Sequence, residues 1–530
     1  MCGIFTFISP EYSKHSVDQK YVEKQFMKSK GRGPEDTTFM NINDRIYMGF
    51  HRLAINGLDQ KSSQPFFIKG VYLICNGEIY NYKELYGKIQ VSPETNSDCE
   101  VIIHLYKLYG IEYTLNLLDG VFAFVLYDLS TDELITARDP YGVRPMYTLK
   151  SFDKYVISSE LKQLAGFGDG KNIQQHLPGM YTTYSVRRDT LVEKIYNTFS
   201  FYKLRCSRME DYYNIIYKGL YSAVTKRVIG TTERPVACLL SGGLDSSLIT
   251  AMVNTFFPQG KLETFSIGME GSTDLRYARI VADHLKTKHT EIILTEKEFI
   301  DAIPEVIYAI ESYDTTTVRA SVGNYLVSKY ISENSEAKVI FNGDGSDELT
   351  GGYKYFNSVP NEVEFDRECK RLLSDIYQFD VLRSDRSISS NGLEPRTPFL
   401  DRSFVEMYLS IPEEYRCHTV NGEPEKFLLR KSVEFCNEYL LPREVLWRTK
   451  EAFSDGVSSV ERSWYKVIQE AVENLNIPLM SEKKWNSPTT TEMVYYRSLF
   501  DKYYTGCEHL VPYMWMPKYV TATDPSARTI

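Results

Sequence analysis

The sequence predicts an α/β protein with two domains of different layer architecture. Its 530 residues exceed the length at which one hydrophobic core usually stops growing. Short β-rich runs dominate up to about Asn197, whereas strand and helix patterns alternate from Pro235 onward. We therefore predict a first domain over 1–197, a linker over 198–209, a second domain over 210–515 and a flexible tail over 516–530.

The composition is that of an ordinary globular protein, with 43% hydrophobic and 25% charged residues. A net charge of -9 without a basic stripe argues against nucleic acid and anionic membrane as partners and favours small molecules. Nine cysteines without a C-x-x-C pair fit neither a disulfide scaffold nor a structural zinc site. No signal peptide or membrane-length apolar run is apparent, so we expect a soluble cytoplasmic protein with reduced thiols.

The first domain is predicted to consist of layered sheets covered by helices. Helical periodicity occurs only between the β-rich runs, near residues 17–28 and 100–108. The predicted strands are Gly3 to Ile8, Ile46 to Ile55, Val71 to Asn76, Val121 to Asp128, Glu133 to Arg138 and Tyr155 to Ser158.

The second domain is predicted to be built from βαβ units around a parallel sheet, with mostly helical sequence beyond Asp366. Ligands of such sheets bind beyond the carboxyl ends of the strands. The predicted strands are Val236 to Leu240, Thr264 to Gly268, Glu291 to Leu294 and Val339 to Asn342, and the helices between them are Ser246 to Phe257, Leu275 to Leu285 and Phe299 to Ile310.

The sharpest local signal is the run from Ser241 to Ser247, S-G-G-L-D-S-S, which lies between a predicted strand and a predicted helix. Two glycines allow the backbone to approach a phosphate, and the first amides of the helix can donate to its oxygens. The lysine of a kinase-type loop is missing, which argues against γ-phosphoryl transfer. A bare S-G-G would more often be a turn with a helix cap, but the full string makes that alternative weak.

A second polar cluster, Asn342 to Glu348, follows another strand of the same predicted sheet. Its carboxylates should face the same crevice as the phosphate loop. The spacing of a calcium loop is not met, although a solvated acidic turn remains an alternative. We predict that Asp347 binds Mg²⁺.

Two further segments supply groups of the kind that this crevice would need. The run from Asp314 to Ser321 places threonine hydroxyls beside Arg319, a combination suited to a carboxylate, although a capped helix with a surface charge has the same pattern. Lys450 could balance phosphate charge in a transition state, although most lysines are merely solvated.

The chain begins Met1-Cys2-Gly3, and removal of Met1 would leave Cys2 with a free α-amine. One residue would then carry both a thiol nucleophile and a base whose pKa, about 7.7–8.0, suits neutral pH. Because most cysteines at position two are inert, the prediction depends on the residues that accompany it.

The accompanying residues match the charges of a free amino acid. Arg52 could bind an α-carboxylate, and Glu78 with Asp98 could bind an α-ammonium group. Asn76 and the Gly77 N–H could form an oxyanion hole for acyl transfer. Taken singly, these motifs would be a hairpin turn and a surface ion pair, but as a set with Cys2 they favour a catalytic site.

The motifs of the first domain, C-G-I, R-G-P, R-L-A-I, N-G-E and S-D, resemble the class II glutaminase domain of N-terminal nucleophile hydrolases. The loop of the second domain resembles the pyrophosphate loop of ATP pyrophosphatases, in which Asp245 would hold Mg²⁺. Over nearly its whole length, including G-L-E-P-R-T-P-F-L-D at 392–401 and D-P-S-A-R at 524–528, the chain resembles glutamine-hydrolysing asparagine synthetases of the B type. The resemblance implies an αββα sandwich followed by a parallel α/β nucleotide-binding domain, and a homodimer.

By position, the resemblance implies that Cys2 attacks L-glutamine and that ammonia reaches a β-aspartyl-AMP intermediate made from L-aspartate and ATP. Lys450 would assist pyrophosphate departure, and Asp344 would help to form or use the acyl-adenylate. Glutamine would contact Arg52, Ile55, Asn76, Gly77, Glu78 and Asp98. Aspartate would contact Thr316, Thr317 and Arg319. ATP would contact Leu240, Ser241, Gly242, Gly243, Asp245, Ser246, Ser247, Ile267, Asn342 and Gly343.

The sequence departs from the family pattern in two places. N-G-D-G-S-D-E at 342–348 replaces the usual S-G-E-G-S-D-E, and because the Asp344 side chain is one methylene shorter, a displacement of about 1 Å would slow its step. Ser-Ser-Gln-Pro at 62–65 replaces a glycine-containing turn. Two alternatives stay open at this point: an amidotransferase of the same architecture acting on another carboxylate, and a nucleotide-binding paralogue with impaired catalysis.

Overall fold

The computed structural model describes residues 1–10, 18–199, 201–231, 233–420, 422–475, 485–526 and 528. Residue 17 of the first predicted helix, Ser200 of the predicted linker, and Ala527, Thr529 and Ile530 of the predicted tail lie outside these ranges.

The described part of the first domain contains two antiparallel sheets of six strands each. Their orders are β10-β8-β9-β1-β3-β2 and β12-β11-β7-β6-β5-β4. The strands are β1 Gly3–Ile8, β2 Asp36–Asn43, β3 Ile46–Arg52, β4 Phe66–Ile68, β5 Val71–Ile79, β6 Gly120–Asp128, β7 Glu133–Arg138, β8 Tyr147–Lys150, β9 Tyr155–Ser158, β10 Ile173–Gln175, β11 Met180–Ser185 and β12 Thr190–Ile195.

The side-chain periodicity of the strands explains the layering. On β1, Ile4 and Ile8 pack with residues of the second sheet such as Ile74 and Val125, so the two sheets face each other across one core. Phe5 and Phe7 point the other way and pack with helix residues. The helices of this domain are α1 Gln19–Phe26, α2 Tyr82–Ile89, α3 Val101–Leu117 and α4 Leu161–Leu164. Helices therefore cover both outer faces, and the predicted αββα sandwich is confirmed.

The second domain contains a parallel sheet whose described strands have the order β15-β14-β13-β16-β17. The strand order reverses beside β13, so the loops that follow β13 and β16 meet in a crevice at the carboxyl edge. The strands are β13 Val236–Leu239, β14 Glu263–Gly268, β15 Lys288–Ile293, β16 Val339–Phe341 and β17 Glu394–Arg396.

Helices cover both faces of this sheet. Helices α5, α6, α13 and α15 share one core with Val236 and Cys238, while α8 and α9 pack on the opposite side against Ala237 and Ile340. The described helices are α5 Met209–Ile229, α6 Leu244–Asn254, α7 Thr273–Leu285, α8 Glu296–Ile310, α9 Thr315–Asn334, α10 Ser346–Thr350, α11 Glu362–Asp375, α12 Asp380–Ser389, α13 Arg402–Ser410, α14 Glu413–Arg416, α15 Phe427–Cys436, α16 Arg443–Leu446, α17 Phe453–Gly456, α18 Trp464–Glu473 and α19 Thr491–Tyr503. None of the described helices is long and apolar enough to cross a membrane.

The C-terminal segment, predicted to be a flexible tail, contacts the second domain. The Asp524 carboxylate pairs with Arg319, the Ser526 hydroxyl donates to Asp455 Oδ1 at 2.7 Å, and Arg528 donates to Glu451 Oε1 at 2.6 Å. Because these partners are distant in sequence, composition alone did not indicate that the segment would pack on the second domain.

Candidate active sites

The N-terminal residues lie deep in the molecule, at the contact between the two domains. Cys2 packs against the core between the two sheets, and its Sγ donates to the Leu53 carbonyl oxygen at 3.6 Å. Met1 is fully buried, and its ammonium nitrogen lies 3.7 Å from Glu394 Oε2 of the second domain. While Met1 is attached, the nitrogen of Cys2 is an amide, so the α-amine that the sequence predicts as base does not exist.

Burial controls the protonation of both groups. It raises the pKa of the Cys2 thiol to about 11, which disfavours the thiolate. It lowers the pKa of the Met1 amine to about 6, even though Glu394 opposes this shift. With Met1 in place, this site holds a neutral thiol and lacks an N-terminal base on the nucleophile.

Arg52 stands at the end of β3, where its guanidinium holds the following loop. It donates to the Asp59 carbonyl oxygen at 3.1 Å, to Ser63 Oγ at 2.9 Å and to the Gly57 carbonyl oxygen. Ser63, one of the residues that replaces the usual glycine-containing turn, is thus an anchor of this loop. No acidic residue in the described chain forms an ion pair with Arg52. The positive charge therefore remains available for an anionic ligand.

Two buried carboxylates lie near each other at the other end of this site. Glu78 accepts from Asn56 Nδ2 at 2.7 Å, and Asp98 accepts from the Ile79 N–H at 2.7 Å. Burial, with the mutual repulsion of the two groups, raises the pKa of Glu78 well above its usual value, and burial raises that of Asp98 to about 6. Such a pair of carboxylates favours an incoming cation.

The strand between these charges contributes the predicted oxyanion-hole residues. Asn76 Nδ2 is buried without a hydrogen-bond partner among the described residues. A Cβ atom on Gly77 would lie 2.5 Å from the Val121 carbonyl oxygen, so only glycine fits the spacing between β5 and β6. Ile55 is also buried, 3% exposed, at the start of the loop that Arg52 holds.

The second domain adds a guanidinium to this site that the sequence analysis missed. Arg396, on β17, lies 3.4 Å from Glu78 Oε1 and 2.8 Å from Glu394 Oε1, and it donates to the Tyr80 hydroxyl at 3.2 Å. Arg396 belongs to the G-L-E-P-R motif, but only the docking of the two domains shows which residue it contacts.

The second site lies at the predicted crevice beyond the carboxyl ends of β13 and β16. The loop residues Gly243, Asp245 and Ser246 line one cleft together with Asn342, Gly343, Asp344 and Asp347. Apolar side chains close one side, among them Leu240, Phe265, Ile267 and Val327. An apolar slot beside a phosphate loop has the form of an adenine-nucleotide site.

The geometry of the loop depends on its glycines and serines. Gly242 has φ +70°, and a Cβ atom there would lie 2.3 Å from the Ala278 nitrogen. Ser241 Oγ and Ser246 Oγ are 2.9 Å apart, and Ser246 Oγ accepts from the Ser241 N–H at 3.2 Å. Helix α6 begins at Leu244, so its first N–H groups face the cleft at the loop. Ser247 is fully buried, and its hydroxyl lacks a partner among the described residues.

The two carboxylates predicted to bind Mg²⁺ share two ammonium groups. Lys426 Nζ lies 2.6 Å from Asp245 Oδ2 and 2.5 Å from Asp347 Oδ1, and Lys450 Nζ lies 2.5 Å from Asp347 Oδ2 and 3.6 Å from Asp245 Oδ2. Although burial would raise the pKa of Asp347, the two lysines hold it well below the usual range. The pair fits Mg²⁺, which proteins commonly bind through one or two carboxylates together with substrate phosphates.

Lys426 is the residue of this cluster that the sequence analysis missed. Its side chain is only 2% exposed, and a Cβ atom on Gly352 would lie 1.9 Å from its Cε. It precedes α15 in an ordinary E-K-F-L-L-R segment, where nothing distinguishes it from a solvated lysine.

The residues predicted to bind a carboxylate do not all line the same cavity. Thr316 and Thr317 line a smaller cavity that adjoins the cleft and includes Glu348, Asp380 and Arg383. Arg319 lines neither cavity, because its guanidinium is bound by Glu492 and Asp524 at 2.6–2.8 Å and is 3% exposed. The structure thus gives Arg319 a different position from the predicted one, while Asp314 caps the helix by accepting from the Thr317 N–H.

Arg383 supplies the guanidinium that the small cavity contains. It lies 3.4 Å from Asp344 Oδ1 and also pairs with Asp380 on its own helix, α12. Burial, with Asp344 and Asp347 nearby, raises the pKa of Asp380 to about 6. Asn342, which departs from the usual serine, donates to Ser384 Oγ of the same helix at 2.8 Å.

Comparisons with known proteins agree with this division into two sites. A glutamine amidotransferase domain model matches residues 1–200, and an asparagine synthase model matches residues 216–362 and 357–509. The glutamine-hydrolysing asparagine synthetase of Gallus gallus is 43% identical over 95% of both chains, and those of Pongo abelii and Homo sapiens are 42% and 41% identical with the same coverage. The chain therefore belongs to the family of glutamine-hydrolysing asparagine synthetases.

Proposed function

We propose that this protein converts L-aspartate to asparagine with ATP and the amide nitrogen of L-glutamine, releasing glutamate, AMP and pyrophosphate. The observation that carries the proposal is the presence, in one chain, of a half-buried Cys2 beside complementary amino-acid-binding charges and of a phosphate-loop cleft with two carboxylates. The names of the relatives agree with it.

At the first site, Cys2 attacks the side-chain amide of glutamine after Met1 has been removed, and its own α-amine accepts the thiol proton. Asn76 Nδ2 and the Gly77 N–H stabilise the oxyanion. Arg52 binds the α-carboxylate, Glu78 and Asp98 bind the α-ammonium group, and Ile55 forms part of the pocket wall. The Arg52 guanidinium, which no described carboxylate neutralises, and the two adjoining carboxylates support these roles.

At the second site, the phosphate loop binds the phosphates of ATP through Ser241, Gly242, Gly243, Ser246 and Ser247. The nucleoside is surrounded by Leu240, Ile267, Asn342 and Gly343. Asp245 and Asp347 hold Mg²⁺, which supplies neutralisation of the phosphate charge. Lys450 stabilises the departing pyrophosphate. The buried Lys426 neutralises part of the negative charge of Asp245 and Asp347. The donor set of hard oxygens supports the metal assignment.

Aspartate binds in the small cavity next to the cleft. Thr316 and Thr317 donate hydroxyls, Arg383 binds a carboxylate, and Arg319 holds the helix that carries both threonines. Thr316 Oγ1 has no partner among the described residues, which supports a ligand contact there. Asp344, whose carboxylate is near Arg383, acts in the adenylation step.

The experiment that tests the proposal incubates the purified protein with glutamine, aspartate and Mg·ATP and measures asparagine, AMP and pyrophosphate. The three products should appear in equal amounts, and absence of AMP would refute the adenylation reaction. Cys2→Ala should abolish the use of glutamine but retain synthesis from added ammonia, whereas loss of both activities would contradict two separate sites.

Replacing aspartate with other carboxylates tests which carboxylate is the substrate. Light scattering and cell fractionation test the homodimer and the cytoplasmic location that we also propose.

A further inference from the structure

Arg32 connects the N-terminal nucleophile to the second domain. It is fully buried in the 3₁₀ turn Met27–Arg32 that follows α1, and its Nε donates to the Cys2 carbonyl oxygen at 3.1 Å. This hydrogen bond fixes the main chain of the residue that carries both the thiol and, after processing, the α-amine. A change in the orientation of Arg32 therefore moves both groups at once.

The partners that orient Arg32 come mainly from the second domain. Its Nη1 donates to Asp385 Oδ2 and to Ser389 Oγ, each at 2.9 Å, and its Nη2 donates to Asp385 Oδ1 at 3.4 Å. Glu160 of the first domain contributes a longer contact of 3.3 Å. Asp385 and Ser389 both lie on α12, so one helix holds the guanidinium plane.

The charge of Asp385 is maintained in spite of its burial. Burial alone would raise its pKa, but Arg32 and Arg386 together hold it below the usual range. A buried, bidentate guanidinium–carboxylate contact has a strict geometry that an amide or an ammonium group does not reproduce. Loss of the carboxylate would leave Arg32 free to turn toward Glu160.

We infer that Asp385, a residue of the second domain, is a positioning residue for the glutaminase reaction, because it acts through Arg32 on the main chain of Cys2. The inference rests on the proposed role of Cys2 as nucleophile. The N-terminal half of α12 carries Arg383 and contacts the second site, so the same helix positions charged groups in both active sites.

A general role in holding the domains together is the competing explanation, and Glu311 provides a matched control. Glu311 is also a buried carboxylate of the second domain at this interface, where it accepts from the Leu161 and Lys162 N–H groups at 2.8 Å and lies 3.3 Å from Arg386 Nε. It has no contact with Arg32 or Cys2 in the described structure. Both Asp385→Asn and Glu311→Gln replace a buried carboxylate with an amide.

The test compares the full-length wild-type, Asp385→Asn and Glu311→Gln proteins. Glutaminase kcat should fall by about 10- to 100-fold in Asp385→Asn with the KM for glutamine almost unchanged, since a misplacement on the order of 1 Å costs up to about 100-fold. Glu311→Gln should remain within about threefold of wild type, and ammonia-dependent synthesis should persist in both. The pH profile of Cys2 alkylation should shift in Asp385→Asn alone. Asp385→Glu should restore part of kcat.

Equal losses in the two amide variants, or an unchanged kcat in Asp385→Asn, would overturn the inference. If Asp385→Asn does not fold, Arg32→Lys serves instead, because lysine keeps the charge but cannot bind Asp385 and the Cys2 carbonyl in the same geometry. A folded Arg32→Lys protein with wild-type kcat would also overturn it. If wild-type protein itself does not hydrolyse glutamine, the proposed function fails and the inference fails with it, whereas a wild-type kcat in Asp385→Asn overturns the inference alone.

Discussion

Retention of Met1 should silence the first site while sparing the second. The perturbation is production of the protein in cells treated with a methionine aminopeptidase inhibitor, with the N-terminus verified by mass spectrometry. In the folded chain Met1 is fully buried and its ammonium lies 3.7 Å from Glu394. Such a terminus is inaccessible to a peptidase after folding, so the retained methionine should persist.

The size of the effect follows from the state of Cys2. Its thiol pKa of about 11 leaves roughly one molecule in ten thousand as thiolate at pH 7, compared with a few per cent for an ordinary cysteine of pKa about 8.5. Burial raises this pKa whether or not Met1 is present, so what distinguishes the two forms is the α-amine, a base worth about 100-fold or more. We therefore expect glutamine hydrolysis to fall by at least about 100-fold.

The assay measures glutamate release from glutamine, alkylation of Cys2 as a function of pH, and ammonia-dependent asparagine formation in the same preparations. Processed and unprocessed protein should make asparagine from ammonia at similar rates, which serves as the control for folding. Glutamine hydrolysis by the Met1-bearing protein at a rate near that of processed protein would refute the reasoning.

Three further outcomes are expected. Lys426→Gln should lower the rate of AMP formation by about 100-fold or more with either nitrogen source, because Asp245 and Asp347 lose a shared cation. Glutaminase activity should remain intact. An AMP rate equal to that of the wild-type protein would contradict this expectation. Gly77→Ala should lower the free energy of unfolding by roughly 1–3 kcal/mol, because the added Cβ atom would lie 2.5 Å from a carbonyl oxygen. An unchanged urea midpoint of unfolding would be evidence against that contact. The kcat/KM for glutamine should decline as pH falls through about 6, where Asp98 gains a proton and ceases to attract an ammonium group; a flat profile between about pH 5 and 8 would exclude that role.

Many of the strands could be predicted from the local pattern of residue types in the sequence. The predicted runs at Gly3–Ile8, Glu133–Arg138 and Tyr155–Ser158 are strands with the same bounds, because buried β-branched and aromatic residues dominate them. Strands such as β12, whose residues are mostly exposed, and β17, three residues long with Pro395, lack that signal and were missed. Their pairing depends on neighbouring strands that are distant in sequence.

In the candidate sites, too, features that depend on local sequence were predicted and contacts between distant residues were not. The phosphate loop and the acidic run after β16 were recognised and do meet in one cleft, because the strand order places their carboxyl ends side by side. Arg319 was predicted to bind a ligand and instead lies between Glu492 and Asp524, and a hydroxyl-rich segment cannot reveal such distant partners. The contacts of Asp524 and Ser526 could not be predicted from the sequence for the same reason.

By itself, the sequence determined the two-domain α/β architecture, the phosphate loop and Cys2 as a nucleophile candidate, because each depends on residues close together in the chain. Only the tertiary structure decided that Lys426 joins Asp245 and Asp347, that Arg396 reaches Glu78, and that Asp385 holds Arg32 against Cys2. These contacts join residues that are distant in the sequence, and their energy depends on burial and geometry that arise only when the second domain folds and the two domains pack together.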